Sequence, residues 1–408
     1  MMTRSGLFLV LITLLFTSCK SSSQKVVDEK VVTWETNMTE ALAKAKANNE
    51  LLFVECYSPT CSHCQAIEPF FKMPEVAKKY NSSFVNYKLN LLEEDQVKFL
   101  NDKNINLPSW PRFLFFDGDG NLVHHSSVEP EVESLLGIAE AAIDPKKQTV
   151  NYAKRFAEGE RNVDFLTKYS THAQVIQDVK VQTEAGNALF EAYPKDKLGS
   201  QESWSLTKLC ITDVDNGFFK YWLNHQKEAD ANEAKEEHPE SADKYLGGIL
   251  QKTILSDRVK TYSVDKLQQL RGVFGKLGLT QYADNYLWEI ETKALIKESN
   301  LPQALAIGNK MIKAFDGNSS AQVYITRVFN DNFPDNSHLS SVKTWLKNAL
   351  PGITGDNIKT EYYYELARVN QKSGEMDEAR KNAKTAQEMA VKVAADPAKF
   401  AEMISSLK

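Results

Sequence analysis

The stretch Val54–Pro69 reads VECYSPTCSHCQAIEP and holds two cysteines, Cys61 and Cys64, with Ser62 and His63 between them. Three roles suit such a pair: thiol–disulfide exchange, half of a metal site, or two buried thiols without chemistry. Two intervening residues at a helix start bring the sulfurs within disulfide distance across one turn. A zinc site would need two further ligands, and copper would accept thiolate together with imidazole. His63, His124 and His125 could supply nitrogen, but the chain has no second cysteine pair. His124 and His125 are adjacent, so on a strand they point to opposite faces and read as an ordinary surface pair. The expectation is therefore redox chemistry with no metal and no cofactor. Cys56 alternates with Glu55 and faces away from the pair; it and Cys210 read as small buried hydrophobes.

The elements around the pair must hold it. MTEALAKAKANNE reads as a helix ended by Asn48 and Asn49, and LLFVECY is an apolar run of strand length. Pro59 and Thr60 mark a turn, after which Cys61 opens a second helix running through CQAIEPFFK. SSFVNYKLNL and PRFLFFD are further strands, GDGN a hairpin turn, NLVHHSS a fourth strand, and EPEVESLLGIAEAAI a closing amphipathic helix. The order is helix, strand, helix, strand, then helix, strand, strand, helix. A two-residue-spaced cysteine pair in that α/β context reads as a thioredoxin-like redox motif.

Residues 33–145 resemble the thioredoxin superfamily, and W…ALAKAKANNELLFVECYSPTCSHC is most similar to its exported branch. Glu55 lies six residues before Cys61, where the family places a buried carboxylate. Pro69 lies eight after it, where the family's active-site helix is kinked. YKLN, Tyr87–Asn90, matches the strand that brings a lysine, here Lys88, near that carboxylate. Pro111, before RFLFF, takes the place of the family's cis-proline. Thr60 stands in place of the usual tryptophan, Ser62-His63 in place of Gly-Pro, and Trp110 where a smaller residue is common; the usual glycine after the last strand is not evident.

The resemblance implies a mechanism. Cys61, at the helix N-terminus, is the expected nucleophile, its thiolate favoured by free backbone N–H groups and the helix dipole. Cys64, one turn inward, is the expected resolving thiol, and Glu55 the expected proton acceptor with Lys88 tuning it. His63 is expected to favour the thiolate and make the pair less reducing than a cytosolic thioredoxin. Pro111 and Trp110 are expected to meet the substrate chain.

Chain-wide composition limits the alternatives. A 42% hydrophobic content over 408 residues allows two or three domains with real cores. A net charge of −5 and the lack of a basic stripe argue against nucleic acid as a partner. The N-terminus has a basic start at Arg4, an apolar run Leu7–Phe16 too short to span a bilayer, and Thr17-Ser18 before Cys19. It resembles a bacterial lipoprotein signal, 1–19, with Cys19 as the lipidated residue. KSSSQKVVDEK opens a flexible tether, 20–32. Lys20 in place of an aspartate leans toward the outer membrane of a Gram-negative bacterium. Export implies a disulfide-permitting compartment, here the periplasm.

From 146 to 408 the strand signals fade into amphipathic helical patterns. Leu270…Gly278…Ala283 and Leu366…Gly374…Ala379 share one spacing, and the second resembles the tetratricopeptide consensus with Tyr363, Ala367, Ala383 and Ala386. YAKRFAEGERNVDFLTKY and QALAIGNKMIKAF carry weaker helical-hairpin signals. EADANEAKEEHPE, Glu228–Glu240, reads as a solvated helix face or loop. The expected architecture is an α/β thioredoxin-like domain followed by an all-α, tetratricopeptide-like repeat domain. The expected function is a periplasmic thiol–disulfide oxidoreductase acting on protein cysteines, with protein thiols or disulfides as substrates, a membrane redox partner, and a lipid anchor to the membrane. The alternative is a non-catalytic binding or assembly lipoprotein that uses the same fold for docking.

Overall fold

The computed structural model describes residues 30–236, 239–396 and 398–407. The leader, Cys19 and the tether up to residue 29 lie outside the described residues. The chain forms two compact units, one reaching to Gly159 and including Val175–Gln177, the other comprising Glu160–Gln174 and Asp178–Lys408.

In the first unit, Asn37 caps α1 (Met38–Asn48) by accepting the Glu40 N–H at 3.1 Å. Asn49 ends that helix in the left-handed region, φ 56°, which asparagine tolerates better than most residues. Then follow β1 (Leu51–Tyr57), α2 (Ser62–Ile67), a 3-10 turn (Glu68–Lys72), α3 (Pro74–Ser83), β2 (Phe84–Asn90) and α4 (Glu94–Asp102). β3 (Arg112–Phe116), β4 (Leu122–Ser127) and α5 (Val132–Ile143) complete the unit's sheet and its closing helix. The strand order is β2-β1-β3-β4, with β1 parallel to β2 and antiparallel to β3. The expected single helix through CQAIEPFFK is two pieces, with a separate helix, α3, after them. Pro69 has no N–H and cannot continue the helical ladder, so α2 gives way to the 3-10 turn and the chain restarts at Pro74.

β1 and β3 are buried on both faces, which is why their sequences are continuous apolar runs rather than alternating ones. Phe53, Phe113 and Phe115 pack with Ile67, Phe71 and Tyr80 on one face. Leu52, Val54, Cys56, Leu114 and Phe116 pack with Ala41, Ala45 and Leu100 on the other. Glu55 shares the face of Phe53 by strand alternation.

The unit's limits differ from the sequence reading at both ends. Val31 and Val32 are not tether: Val32 is buried, its N–H bonds Phe71 O at 2.9 Å, and Asn81 Nδ2 donates to Val31 O at 2.8 Å. The far end runs past 145, because the Thr149 N–H donates to buried His124 Nδ1 at 3.3 Å and Gln148 Nε2 to Ala142 O at 2.8 Å.

Among the described residues of the second unit, every regular element is a helix. Both spaced windows fall on helix–turn–helix pairs whose glycines take positive φ: Gly278 (67°) between Val264–Lys276 and Thr280–Lys297, and Gly374 (79°) between Asp356–Lys372 and Met376–Lys392. Ala367, Ala379 and Ala383 are buried at the second pair, where small side chains let helices approach. Glu228–Glu240 is not simply a solvated face. Within it, Glu233 is buried at the end of helix Gln226–Glu233 and accepts hydrogen bonds from Trp204 Nε1 at 2.7 Å and Lys208 Nζ at 2.8 Å. The Lys208 ammonium neutralises that charge and the Trp204 N–H adds a second hydrogen bond, which together make its burial tolerable. Among the described residues no helix is long and apolar enough to cross a membrane.

Candidate active site

Strand β1 delivers the chain to a turn that is tied before the helix begins. The Cys61 N–H bonds Ser58 O at 3.1 Å, Ser58 Oγ meets Thr60 Oγ1 at 3.0 Å, and Gln65 Nε2 reaches back to Pro59 O at 2.8 Å. Cys61 is thereby placed as the N-cap of α2, with extended backbone (φ −85°, ψ 116°). Its Sγ accepts the Cys64 N–H at 3.2 Å, the position a serine or aspartate cap oxygen usually holds. Cys61 is partly exposed, Cys64 buried, and both are free thiols.

Cys64 sits one turn inward. Its thiol is pushed up to about 12, first by burial, then by the neighbouring Cys61 sulfur, with the negative charge of Glu55 adding to both; the Ser58 backbone pulls the other way. Glu55 is fully buried, in register with Lys88 on β2 and Phe113 on β3. The Lys88 ammonium stands 3.4 Å from Glu55 Oε2 but hydrogen-bonds Glu68 instead. Lys88 thus meets Glu55 as an ion pair, and among the described residues neither Glu55 oxygen accepts a hydrogen bond. Burial raises this carboxyl from 4.5 to about 7; Lys88 lowers it and Glu68 raises it. Lys88 is also held over the Trp34 ring, 4.8 Å from its centroid, and near Phe71 and Tyr57.

On the opposite side of Cys61 runs the loop into β3. The Trp110–Pro111 peptide is cis, Pro111 is buried, and the Trp110 carbonyl oxygen lies 3.9 Å from Cys61 Sγ. The Trp110 side chain is half exposed. Thus the fold brings Cys61, Cys64, Glu55, Lys88, Trp110 and Pro111 to one end of the sheet. His63 stands exposed in the first turn of α2.

Other candidates fall elsewhere. Cys56 lies on the far face of β1, opposite Arg112 in register, and burial pushes its thiol well up. Cys210 is likewise buried, in the helical unit, its thiol raised to about 12. His124 and His125 are not a surface pair: both are buried. His125 Nδ1 meets Arg112 Nη1 at 3.1 Å, and the His124 ring packs 5.8 Å from Phe115. They lie on opposite faces of a strand covered on both sides, which a polar-looking sequence (LVHHSS) conceals. Among the described residues no group of three or more His, Cys, Asp or Glu is placed to hold a metal ion.

Glu68 is the site residue that sequence reading passes over. Its only signal is an acidic residue immediately before the kinking Pro69; nothing local says that it will meet a lysine twenty positions on.

The arrangement can do directional thiol chemistry. One sulfur meets solvent beside the Trp110 carbonyl, the other is buried and hard to deprotonate, and a buried carboxyl that accepts no hydrogen bond stands on the buried side. Residues 29–137 match the protein-family model described as Thioredoxin, a span that contains Glu55, Cys61, Cys64, Lys88 and Pro111. The chain thus carries a thioredoxin domain followed by a long all-helical region. No curated protein matches the chain.

Proposed function

We propose that this protein is a thiol–disulfide oxidoreductase acting on protein cysteines. The observation that carries the reading is the asymmetry of the pair: Cys61 caps α2 and meets solvent, while Cys64 is buried on the side of a buried carboxyl that accepts no hydrogen bond. In the reducing direction, the Cys61 thiolate attacks a substrate disulfide. A mixed disulfide forms and one substrate thiolate leaves, taking a proton from solvent. Glu55 then accepts the Cys64 proton, and the Cys64 thiolate attacks Cys61 Sγ. The Cys61–Cys64 disulfide forms, the second substrate sulfur leaves and is protonated, and two electrons have passed to the substrate. The oxidising direction is the reverse. Trp110 and Pro111 line the substrate's approach, Lys88 tunes Glu55, and His63, at the solvent edge of the pair, biases the potential.

The leader sequence supports export to the periplasm and lipidation at Cys19, with anchoring to the outer membrane; a membrane redox partner would restore the pair. The glycine-turn helix pairs support a tetratricopeptide-like reading of part of the helical unit.

The test uses Cys64→Ser to trap, and Cys61→Ser as the control. The first should accumulate mixed disulfides with proteins of its compartment through Cys61, and the second should not. In parallel, the mixed disulfide of the Glu55→Gln variant should resolve at least about tenfold more slowly than the parent near neutral pH. If Cys61→Ser retains full turnover of a disulfide substrate, Cys61 is not the nucleophile; if the parent itself turns none over and Cys64→Ser traps nothing, the fold serves docking instead.

A further inference from the structure

The described site contains two carboxyl groups and one ammonium. Lys88 arrives from β2, Glu55 from the facing β1 register, and Glu68 from the 3-10 turn that Pro69 imposes after α2. The ammonium is within 4 Å of both carboxylates but sits closer to Glu68, to which it hydrogen-bonds, and meets the fully buried Glu55 as a longer ion pair, with no hydrogen bond in place to either Glu55 oxygen. Glu68 is itself 41% exposed, so its charge is paid for largely by water, unlike that of Glu55.

We infer that Glu68 is a positioning residue for Glu55: it holds the Lys88 ammonium at the surface side of the site and so sets the pH at which Glu55 accepts the Cys64 proton. This rests on the reading of Glu55 as that acceptor. The ammonium has donors enough for both carboxylates, so the competition is for its position and its charge. With Glu68 present, Lys88 is shared and Glu55 lacks a dedicated counter-ion. With Glu68 neutral, the ammonium's nearest carboxylate is Glu55, and a hydrogen-bonded ion pair in a buried setting strongly favours the charged carboxylate. Glu55 would then be ionised at lower pH and be a weaker base.

Among the described residues no other group around Glu55 takes this role. From α2 comes Cys64, whose thiol stays protonated, and from α3 comes Tyr80, whose hydroxyl already donates to Leu135 O at 2.9 Å. β3 presents Phe113, and Cys56, next to Glu55 on β1, points to the opposite face. The Trp34, Tyr57 and Phe71 rings fix the Lys88 stem and head between the two carboxylates without competing for charge.

The experiment follows the Glu55 carboxyl directly in the reduced full-length protein carrying carboxyl-labelled glutamate, by carbon NMR across pH. The Glu55 resonance is the one lost in Glu55→Gln. In the parent its midpoint should lie near 7. In Glu68→Gln it should fall by about one pH unit or more, with the acid limb of mixed-disulfide resolution moving by the same amount. In a Lys88→Met background the same Glu68→Gln change should move the midpoint much less. An unmoved or raised midpoint in Glu68→Gln overturns the inference, as does a full shift without Lys88. Failure of the underlying reading looks different: the Glu55 midpoint would move as expected while the resolution profile stayed put.

Discussion

Replacing Glu55 by glutamine should stabilise the reduced protein, and only above acid pH. An ordinary carboxyl in the unfolded chain titrates near 4.5, whereas burial holds Glu55 at about 7 in the fold. Between those values the folded state keeps a proton that the unfolded state has released. The unfolded state binds fewer protons there, so stability falls as pH rises from about 4.5 and levels off above about 7. A gap of about 2.5 pH units at 1.36 kcal/mol each amounts to about 3 kcal/mol. That cost falls on the parent alone, since the amide never ionises. The variant carries its own fixed cost, a buried amide beside Lys88, but that cost does not depend on pH. The quantity to measure is therefore the parent–variant difference as a function of pH. Urea unfolding of both reduced full-length proteins from pH 4.5 to 8.5, with hydrogen exchange of β1 peptides reporting on this unit, supplies it. The difference should grow in the variant's favour by about 3 kcal/mol from pH 4.5 to 8. A flat difference would mean that Glu55 is not a buried high-pKa carboxyl, and the proton-acceptor role would lose its physical basis.

Limited alkylation of the reduced protein at neutral pH should label Cys61 well before Cys64, because only Cys61 is accessible and the Cys64 thiol is held near 12; peptide mass mapping that found Cys64 first would reverse the two roles. Gly308→Ala should destabilise the helical unit by about 1–3 kcal/mol, since an added Cβ would sit 2.5 Å from Trp345 and 2.6 Å from Phe329; denaturant midpoints check it, and an unchanged midpoint would mean those rings yield freely. His338 is buried against Phe333 with burial lowering it to about 4. The unfolded state therefore takes up a proton first as pH falls, and the helical unit should lose stability between about pH 6.5 and 4. His338→Phe should remove part of that loss, and thermal melts of parent and variant that fall in parallel across this range would count against it.

The sequence by itself determined the local features of the site. The spacing of Cys61 and Cys64, the Pro59-Thr60 turn and the apolar run before it set a strand–turn–helix with one sulfur at the cap and the other a turn inward. Period-two alternation put Glu55 and Cys56 on opposite faces, and Pro69 could only interrupt a helix. Gly278 and Gly374 marked two helix–helix turns for an equally local reason: each residue there adopts a left-handed backbone that glycine accepts at no steric cost. What the tertiary structure decided was how the charges distant in sequence share their partners. Lys88 faces Glu55 across two strands, which register alone could suggest, but its hydrogen bond goes to Glu68 on a turn whose position depends on where α2 stops. His124 and His125 are buried because helices cover both faces of the sheet and Thr149 returns to β4, not because of anything in LVHHSS. Glu233 sits inside a run of charge that looks solvated, and it is buried because Trp204 and Lys208 come from another helix to meet it. Local pattern fixes backbone period and turn chemistry; whether a polar group is buried, and which partner then sets its protonation, depends on neighbours that only the folded chain assembles.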